Sequence, residues 1–395
     1  MFTQGGPRKV RTAKQERIRG SETALAPRRF ARDGRFRKSG SEFQRTRHGG
    51  FGSRKASKAV FTLLRQADLY APEPLGRRDL LVGGEQILAI APELPSLPST
   101  LPHEEIDLSG RRVIPGLVDC HVHVTGGGGE DGPASRVPPL ALSQLTQAGV
   151  TSCIGVLGTD GSTRTMRELV ATTLGLRQQG LSAWCYTGSY QYPPLTLTGS
   201  VRDDIVYIDP IIGVGELAIS DHRSSQTTLD EFLRVVSDAY VAGMIAGKSG
   251  HTHLHLGDGP RGLDLVRRAL DQSELPARVF HPTHVNRQKS LFAEAQALSQ
   301  RGVTVDVTAF PADEDSYSAA EAITRWLHAD LAVEQLTCSS DGAGCLPVFD
   351  EHGRLTAMEI GQPVTLIETL RQLLDEGLSL EQVLPIFTSN PARVA

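Results

Sequence analysis

The chain has no run of 18 or more apolar residues, so the length needed for a transmembrane helix is missing. Its first 30 residues lack an apolar core segment, so a secretory signal is not expected. Paired cysteines are missing too. Cys120, Cys153, Cys185, Cys338 and Cys345 are odd in number, widely spaced and never in a CxxC pair. They read as reduced thiols of a cytoplasmic protein, neither a disulfide framework nor a zinc knuckle. No short-period internal repeat is present. Net charge is also scarce: 41 Lys and Arg against 45 Asp and Glu leave −4.

That near-neutrality hides two parts. Residues 1–60 hold 17 Lys and Arg against four acids, and the other 335 residues hold 24 against 41. A basic arm of about +13 precedes an acidic body of about −17. Residues 1–58 are rich in Arg, Gly and Ser without periodicity, and a disordered extension is expected there. Three readings of the arm compete: a tail for nucleic acid or an anionic surface, a transit peptide, or an upstream extension without a role. The remainder is globular in composition, at 39% hydrophobic and 22% charged for the whole chain.

From Phe61 the texture changes. Phe61 to Tyr70, Asp79 to Val82 and Gln86 to Ile90 are short apolar runs between Pro and Gly turns, a strand meander that Glu105 to Gly110 continues. From Val113 short β-rich runs alternate with amphipathic stretches of 12–18 residues. The strands expected are 113–124, 151–159, 182–190, 211–220, 252–257, 278–285, 304–310 and 336–344. Helices are expected at 140–148, 166–179, 229–245, 263–270, 291–301, 319–329, 365–376 and 380–387. Eight βα units over about 275 residues predict an α/β fold, a (β/α)8 TIM barrel. The expected organisation is a basic extension over 1–58, a small N-terminal β domain over 59–114 and the barrel over 115–395.

In such a barrel the chemistry stands at the C-terminal strand ends. The first strand ends in Asp119-Cys-His121-Val-His123, and alternation puts both histidines on one face. The fourth ends in Glu216 and runs on to Asp221-His222-Arg223. The fifth carries His251, His253 and His255, the sixth His281 and His284, and the eighth leads to Asp341. An HxH pair alone is weak evidence, and Asp341 alone could cap a helix. His222, His251, His253 and His281 read as hydrogen-bonded or supporting residues rather than ligands. The joint pattern of imidazoles and carboxylates on five strand ends is what points to a metal site suited to zinc. Two ions would lower the pKa of a shared water and polarise a scissile carbonyl, with an acid nearby to move the proton.

These residues resemble the amidohydrolase superfamily and, within it, the isoaspartyl (β-aspartyl) dipeptidases. The resemblance runs from about Phe61 to the last residue. It is carried by Pro115 to His123, Gly126-Gly-Gly-Gly-Glu130, Ala148 to Ser152, Leu157 to Asp160, Ala218 to Arg223, Pro282 to Arg287 and Ser339-Ser-Asp-Gly342. It implies a binuclear zinc dipeptidase in which metal-bound hydroxide hydrolyses β-aspartyl dipeptides, clearing those left by protein breakdown. His121 and His123 would bind one Zn2+ and His255 and His284 the other. Asp341 would ligate the first ion and shuttle the proton. Glu130 would receive the substrate's α-ammonium from a mobile glycine-rich loop, and Tyr190 would donate to the carbonyl under attack. Arg223 and Arg287 would clamp carboxylates, with Gly128, Thr159 and Cys345 as further substrate contacts. A homo-oligomer is also implied, and neither a membrane nor a nucleic acid is the expected partner of the body.

Three departures from the family pattern stand out. The usual carbamylated lysine at the end of strand 4 is replaced by Glu216 after a one-residue insertion. Glutamate already carries the bridging carboxylate, and Lys248, before strand 5, is rejected as a substitute. Cys345 stands where the family has a serine. The chain stops where the family returns to close the small β domain, so that domain is expected to lack its C-terminal closing strands. Two rival readings are another amidohydrolase, acting on a cyclic amide or an N-acyl amino acid, and a catalytically silent scaffold.

Overall fold

Alternating apolar residues drive the first part of the chain into strands, and continuous apolar runs drive the second. The computed structural model describes residues 60–349 and 355–395. The arm expected over 1–58 lies outside the described residues. Phe61–Tyr70 (β1), Pro74–Gly83 (β2), Gln86–Ala91 (β3), His103–Asp107 (β4) and Arg112–Val113 (β5) make one sheet, ordered β3-β2-β1-β4 with β5 also on β1. Leu63, Ala67, Leu69 and Leu80 form its buried face. β1, β2 and β3 pair antiparallel, but β4 does not continue the meander; it lies parallel to β1, with Phe61 opposite His103. Pro92, Pro95, Pro98 and Pro102 punctuate the connection and cannot donate ladder bonds. Instead Asp79 and Arg65 capture Leu94 and draw that connection across the sheet. Among the described residues β3 and β4 are the edges, and Ile87, Leu88, Ile90 and Ile106 are exposed there.

Leu117–Val122 (β6), Val150–Gly155 (β7), Ser182–Thr187 (β8), Ile211–Ile219 (β9), Thr252–Leu256 (β10) and Phe280–Thr283 (β11) form a curled parallel sheet in sequential order. Val305–Thr308 (β12) and Leu336–Ser339 (β13) pair parallel as two. Beyond β13, Gly342 bridges Val122 at the end of β6. Every residue of β6, β9 and β10 is buried, as strands covered on both faces require. The strands are shorter than their apolar runs. β6 starts at Leu117 because Pro115 breaks the run and Arg112–Val113 pairs with β1 instead.

Helices follow most strands near the expected places. Leu229–Ala246 is the longest; it opens on the Thr228–Glu231 capping box and stops at left-handed Gly247. Not expected were the helices Val201–Tyr207 and Ser389–Val394, and a hairpin, Cys345–Phe349 (β14) with Leu355–Ile360 (β15), between β13 and the helix Val364–Asp375. The short stretch 345–360 has too few alternations to be told from a loop.

Candidate metal centre and substrate site

The ends of the parallel strands collect the site. His121 is the fifth residue of β6, and His123 follows that strand; the peptide N–H of His123 donates to Gly342 O at 2.9 Å. This bond brings the Asp341 turn against the first pair of histidines. His123 Nε2 lies 3.1 Å from Asp341 Oδ1, and His121 Nε2 lies 3.5 Å from the same oxygen. Asp341 and His284 both hold left-handed backbone, with φ of 50° and 60°, a conformation uncommon outside glycine and frequent at functional sites. Two glycines make room. A Cβ at Gly158 would sit 2.6 Å from the His123 ring, and one at Gly344 would sit 2.0 Å from Asp341 Oδ1.

Glu216 occupies the centre. The pairing of β9 with β10 slips by one residue between Val214 and Leu217, which makes a bulge of Gly215 and Glu216. From there Glu216 Oε1 faces His123 Nε2 at 3.5 Å. Its Oε2 faces His121 Nε2 at 3.5 Å, His255 Nδ1 at 3.2 Å and His284 Nε2 at 3.9 Å. The carboxylate is fully buried, which opposes ionisation, yet His121 and His255 hold it well below the usual range. Burial lowers the basicity of His121, but Glu216 and Asp341 outweigh it and lift its pKa to about 9. Burial alone dominates at His284, whose pKa falls to about 3.

Two ligand sets emerge: His121, His123 and Asp341, and His121, Glu216 and His284, each with atoms within 4.8 Å of one another. His255 joins neither. Its Nδ1 reaches Glu216 and the Tyr190 hydroxyl (2.8 Å), while its Nε2 lies 3.1 Å from Asp221. Four buried polar atoms, His121 Nε2, His123 Nδ1, Glu216 Oε1 and Asp341 Oδ1, have no hydrogen-bond partner. The 3.1 Å approach of His123 to Asp341 thus lacks hydrogen-bond alignment. Orphaned imidazole nitrogens and carboxylate oxygens in one buried cluster fit a divalent ion of borderline softness. Lys248 is elsewhere: its ammonium donates to Ile205 O, Ile208 O and Ile211 O at 2.6–2.9 Å.

Around this centre stand the other candidates. Glu130 tops the glycine loop, and its Oε1 lies 3.5 Å from Arg223 Nη1. Tyr190 lies under the Arg223 guanidinium, 5.2 Å from ring to carbon, and burial raises its hydroxyl well above the usual pKa. Arg287 donates to Leu256 O at 2.9 Å. Thr159 Oγ1 is buried without a partner. A Cβ at Gly128 would touch Cys345 Sγ at 3.4 Å, and burial pushes the Cys345 thiol up to about 12. His222 is exposed, with its ring between Asp221 and Asp258. Two residues escaped the sequence reading. Asp221 grips Arg223 through Nε (3.0 Å) and Nη2 (2.7 Å) while touching His255, and the Ser-Asp-His-Arg motif was its signal. Buried Arg164 ties down the glycine loop through Thr125 O, Gly127 O and Val137 O; no local pattern marks it.

No protein-family model matches the chain. Among solved structures, a β-aspartyl dipeptidase from the thermophilic, keratin-degrading Fervidobacterium islandicum AW-1, in complex with β-Asp-Leu dipeptide, is 41% identical. That match covers 85% of this chain and 87% of the other, with a TM-score of 0.79. A second structure of a β-aspartyl dipeptidase from that organism is 39% identical over the same shares, with a TM-score of 0.76. Dihydropyrimidinase from Brevibacillus agri NCHU1002, 14% identical over 84% of this chain and 81% of its own, shares the fold at a TM-score of 0.56. With this identity over nearly the whole of both chains, and with the imidazole and carboxylate cluster in place, the protein belongs to the β-aspartyl dipeptidase family of the metal-dependent amidohydrolase superfamily.

Proposed function

We propose that the protein is a binuclear zinc dipeptidase that hydrolyses the β-linked amide of isoaspartyl dipeptides. The observation that carries the reading is the placement of Glu216. One buried carboxylate faces His123 through Oε1 and His121, His255 and His284 through Oε2, beside the Glu130–Arg223 pair. His121, His123 and Asp341 would hold one ion, His255 and His284 the other, with Glu216 bridging. Such a pair supplies an activated water and polarises the amide carbonyl.

The protein's own groups account for the rest. Glu130 and Arg223 neutralise each other at rest, and a zwitterionic dipeptide exchanges that pair for its own charges. Its α-ammonium goes to Glu130, and its carboxylates go to Arg223 and Arg287. Gly128, Thr159 and Cys345 would make further contacts to the same substrate. Tyr190, kept protonated by burial, donates its hydroxyl proton to the carbonyl oxygen as charge develops there. Asp341 is held ionised by His121 and His123 against the cost of burial. Its Oδ1 takes a proton from the attacking water and returns it to the leaving amine.

The eight strands β6–β13 are read as one closed (β/α)8 barrel over 115–395, with the sheet β1–β5 as the small domain. Five cysteines without disulfides support a reducing, cytoplasmic setting. The test is zinc analysis of the purified full chain with hydrolysis of β-Asp-Leu against α-Asp-Leu, dihydrouracil and an N-acetyl amino acid. Two bound zinc ions with turnover of β-Asp-Leu alone are expected. Zinc with turnover of the cyclic amide or the N-acyl substrate instead overturns the substrate, and no zinc and no turnover favours the silent scaffold.

A further inference from the structure

Beneath the metal centre lie three histidines that no step above uses. His251, His253 and His281 are buried on and beside β10 and β11, and their ligand atoms lie within 4.8 Å of one another. A third metal is the first reading of such a cluster, but hydrogen bonding opposes it. All six ring nitrogens already have partners. His251 meets Ser249 and Tyr186; His253 meets His121 and His281; His281 meets His253 and Thr337.

The direction of these bonds follows from their lower end. Asp306 is fully buried and receives the hydroxyls of Thr337 (2.6 Å), Thr283 (2.7 Å) and Ser339 (2.5 Å), distances of bonds to an ionised acceptor. Thr337 has one proton and spends it on Asp306, so towards His281 its oxygen can only accept. His281 Nε2–H is then the donor, at 3.0 Å. With no carboxylate within hydrogen-bond distance, a buried imidazole stays neutral, which leaves His281 Nδ1 as a lone pair. His253 Nδ1–H must donate to it at 2.9 Å, leaving His253 Nε2 as an acceptor. His121 Nδ1–H then donates to His253 Nε2 at 2.7 Å. The nitrogen of His121 left over is Nε2, which lies 3.5 Å from both Glu216 and Asp341.

We propose that Asp306, Thr337, His281 and His253 form a one-way hydrogen-bond relay that holds the Nδ1–H of His121 and so presents Nε2, and only Nε2, to the metal position. They are positioning residues, acting through His121. A buried carboxylate four bonds away thereby makes the ligand more basic and spares it a tautomer change on binding. A second chain steadies the first. Ser249 donates to Val394 O and accepts from His251, and His251 in turn accepts from the Tyr186 hydroxyl. The Tyr186 ring stacks on His253 at 5.0 Å and 23°, which holds that imidazole in plane for both of its bonds.

The inference rests on reading His121 as a ligand, and its test separates the two. Long-range 15N–1H NMR on the full chain, labelled at histidine, reads the tautomers directly. His253 is expected as Nδ1–H and His281 as Nε2–H. The reverse tautomers, or a doubly protonated ring at either position, overturn the relay. Zinc competition against a chelator is then compared for the wild type, His253→Leu and His253→Gln. Leu cannot accept from His121 and should weaken zinc binding about 10–100-fold. Gln offers an oxygen near the position of Nε2 and should restore binding to within a few-fold. Leu binding as tightly as wild type, or Leu and Gln equally weakened at equal thermal stability, removes the positioning role. A wild type with the expected tautomers but no zinc affinity sinks the metal reading and leaves the relay standing.

Discussion

Two clusters of polar groups in this protein look alike in composition and differ in how they are completed. In the small sheet, Asp79 is buried and has every oxygen used: Oδ1 by Gln66 N–H at 2.9 Å, Oδ2 by Leu94 N–H at 3.0 Å and Arg65 Nη1 at 2.7 Å. In the mouth of the parallel strands, Glu216 and Asp341 are buried as deeply, yet each keeps an oxygen that nothing in the protein satisfies. Leaving a buried charge-bearing oxygen without a partner costs on the order of 1–3 kcal/mol or more. A fold tolerates that only where something else completes the shell. Asp79 holds the chain together; Glu216 and Asp341 each keep an oxygen that fits a metal ion.

The sharpest way to break this contrast is Asp341→Ala. Turnover of β-Asp-Leu should fall about 10³-fold or more, while the melting temperature of the metal-free protein stays level or rises. Activity within tenfold of wild type would remove Asp341 from the chemistry. Glu216→Ala comes next: bound zinc, counted by elemental analysis, should drop from two ions to one. Retention of both would show that the bridge is not needed.

Asp79→Ala should reverse the pattern. It strands two peptide N–H groups and Arg65, so urea unfolding should show a loss of about 2–3 kcal/mol. Activity per folded molecule should be unchanged, and a fall in kcat would mean that the two clusters are coupled. A milder probe is pH. Burial opposes ionisation of Asp79, but Gln66, Leu94 and Arg65 together hold its carboxyl below the usual value. Its contribution is therefore present above the unfolded pKa of about 4 and is lost as pH falls below it. Acid unfolding should be less steep in Asp79→Asn; an identical pH profile would deny the carboxylate its role. The smallest effect is expected from Cys345→Ser, a KM for β-Asp-Leu lowered by a few-fold at unchanged kcat, measured by steady-state kinetics.

The strands of the parallel sheet were legible because most are short apolar runs bounded by Gly, Pro or polar turns, and the imidazoles and carboxylates at their ends were legible from spacing. The bulge at Gly215 and Glu216 was not visible, because it is a register slip against β10. What stayed hidden is long in range. The parallel pairing of β4 with β1 depends on Asp79 capturing Leu94, and His255 is drawn towards Asp221 across 34 residues. Asp306 meets Cys120 across 186 residues, and Arg164 reaches Thr125 across 39. Nothing local to any of these residues signals its partner.

By itself, then, the sequence settles which kinds of element form and which donors stand at their ends. Burial periodicity and side-chain chemistry are properties of neighbours along the chain. Tertiary structure alone decides which of those donors are spent on one another. Asp79 is satisfied and Asp341 is not, and Lys248 is consumed by three carbonyls while Glu216 is left open. Hydrogen bonds saturate: once an atom has its partners it is structural, and one buried without them is available for binding.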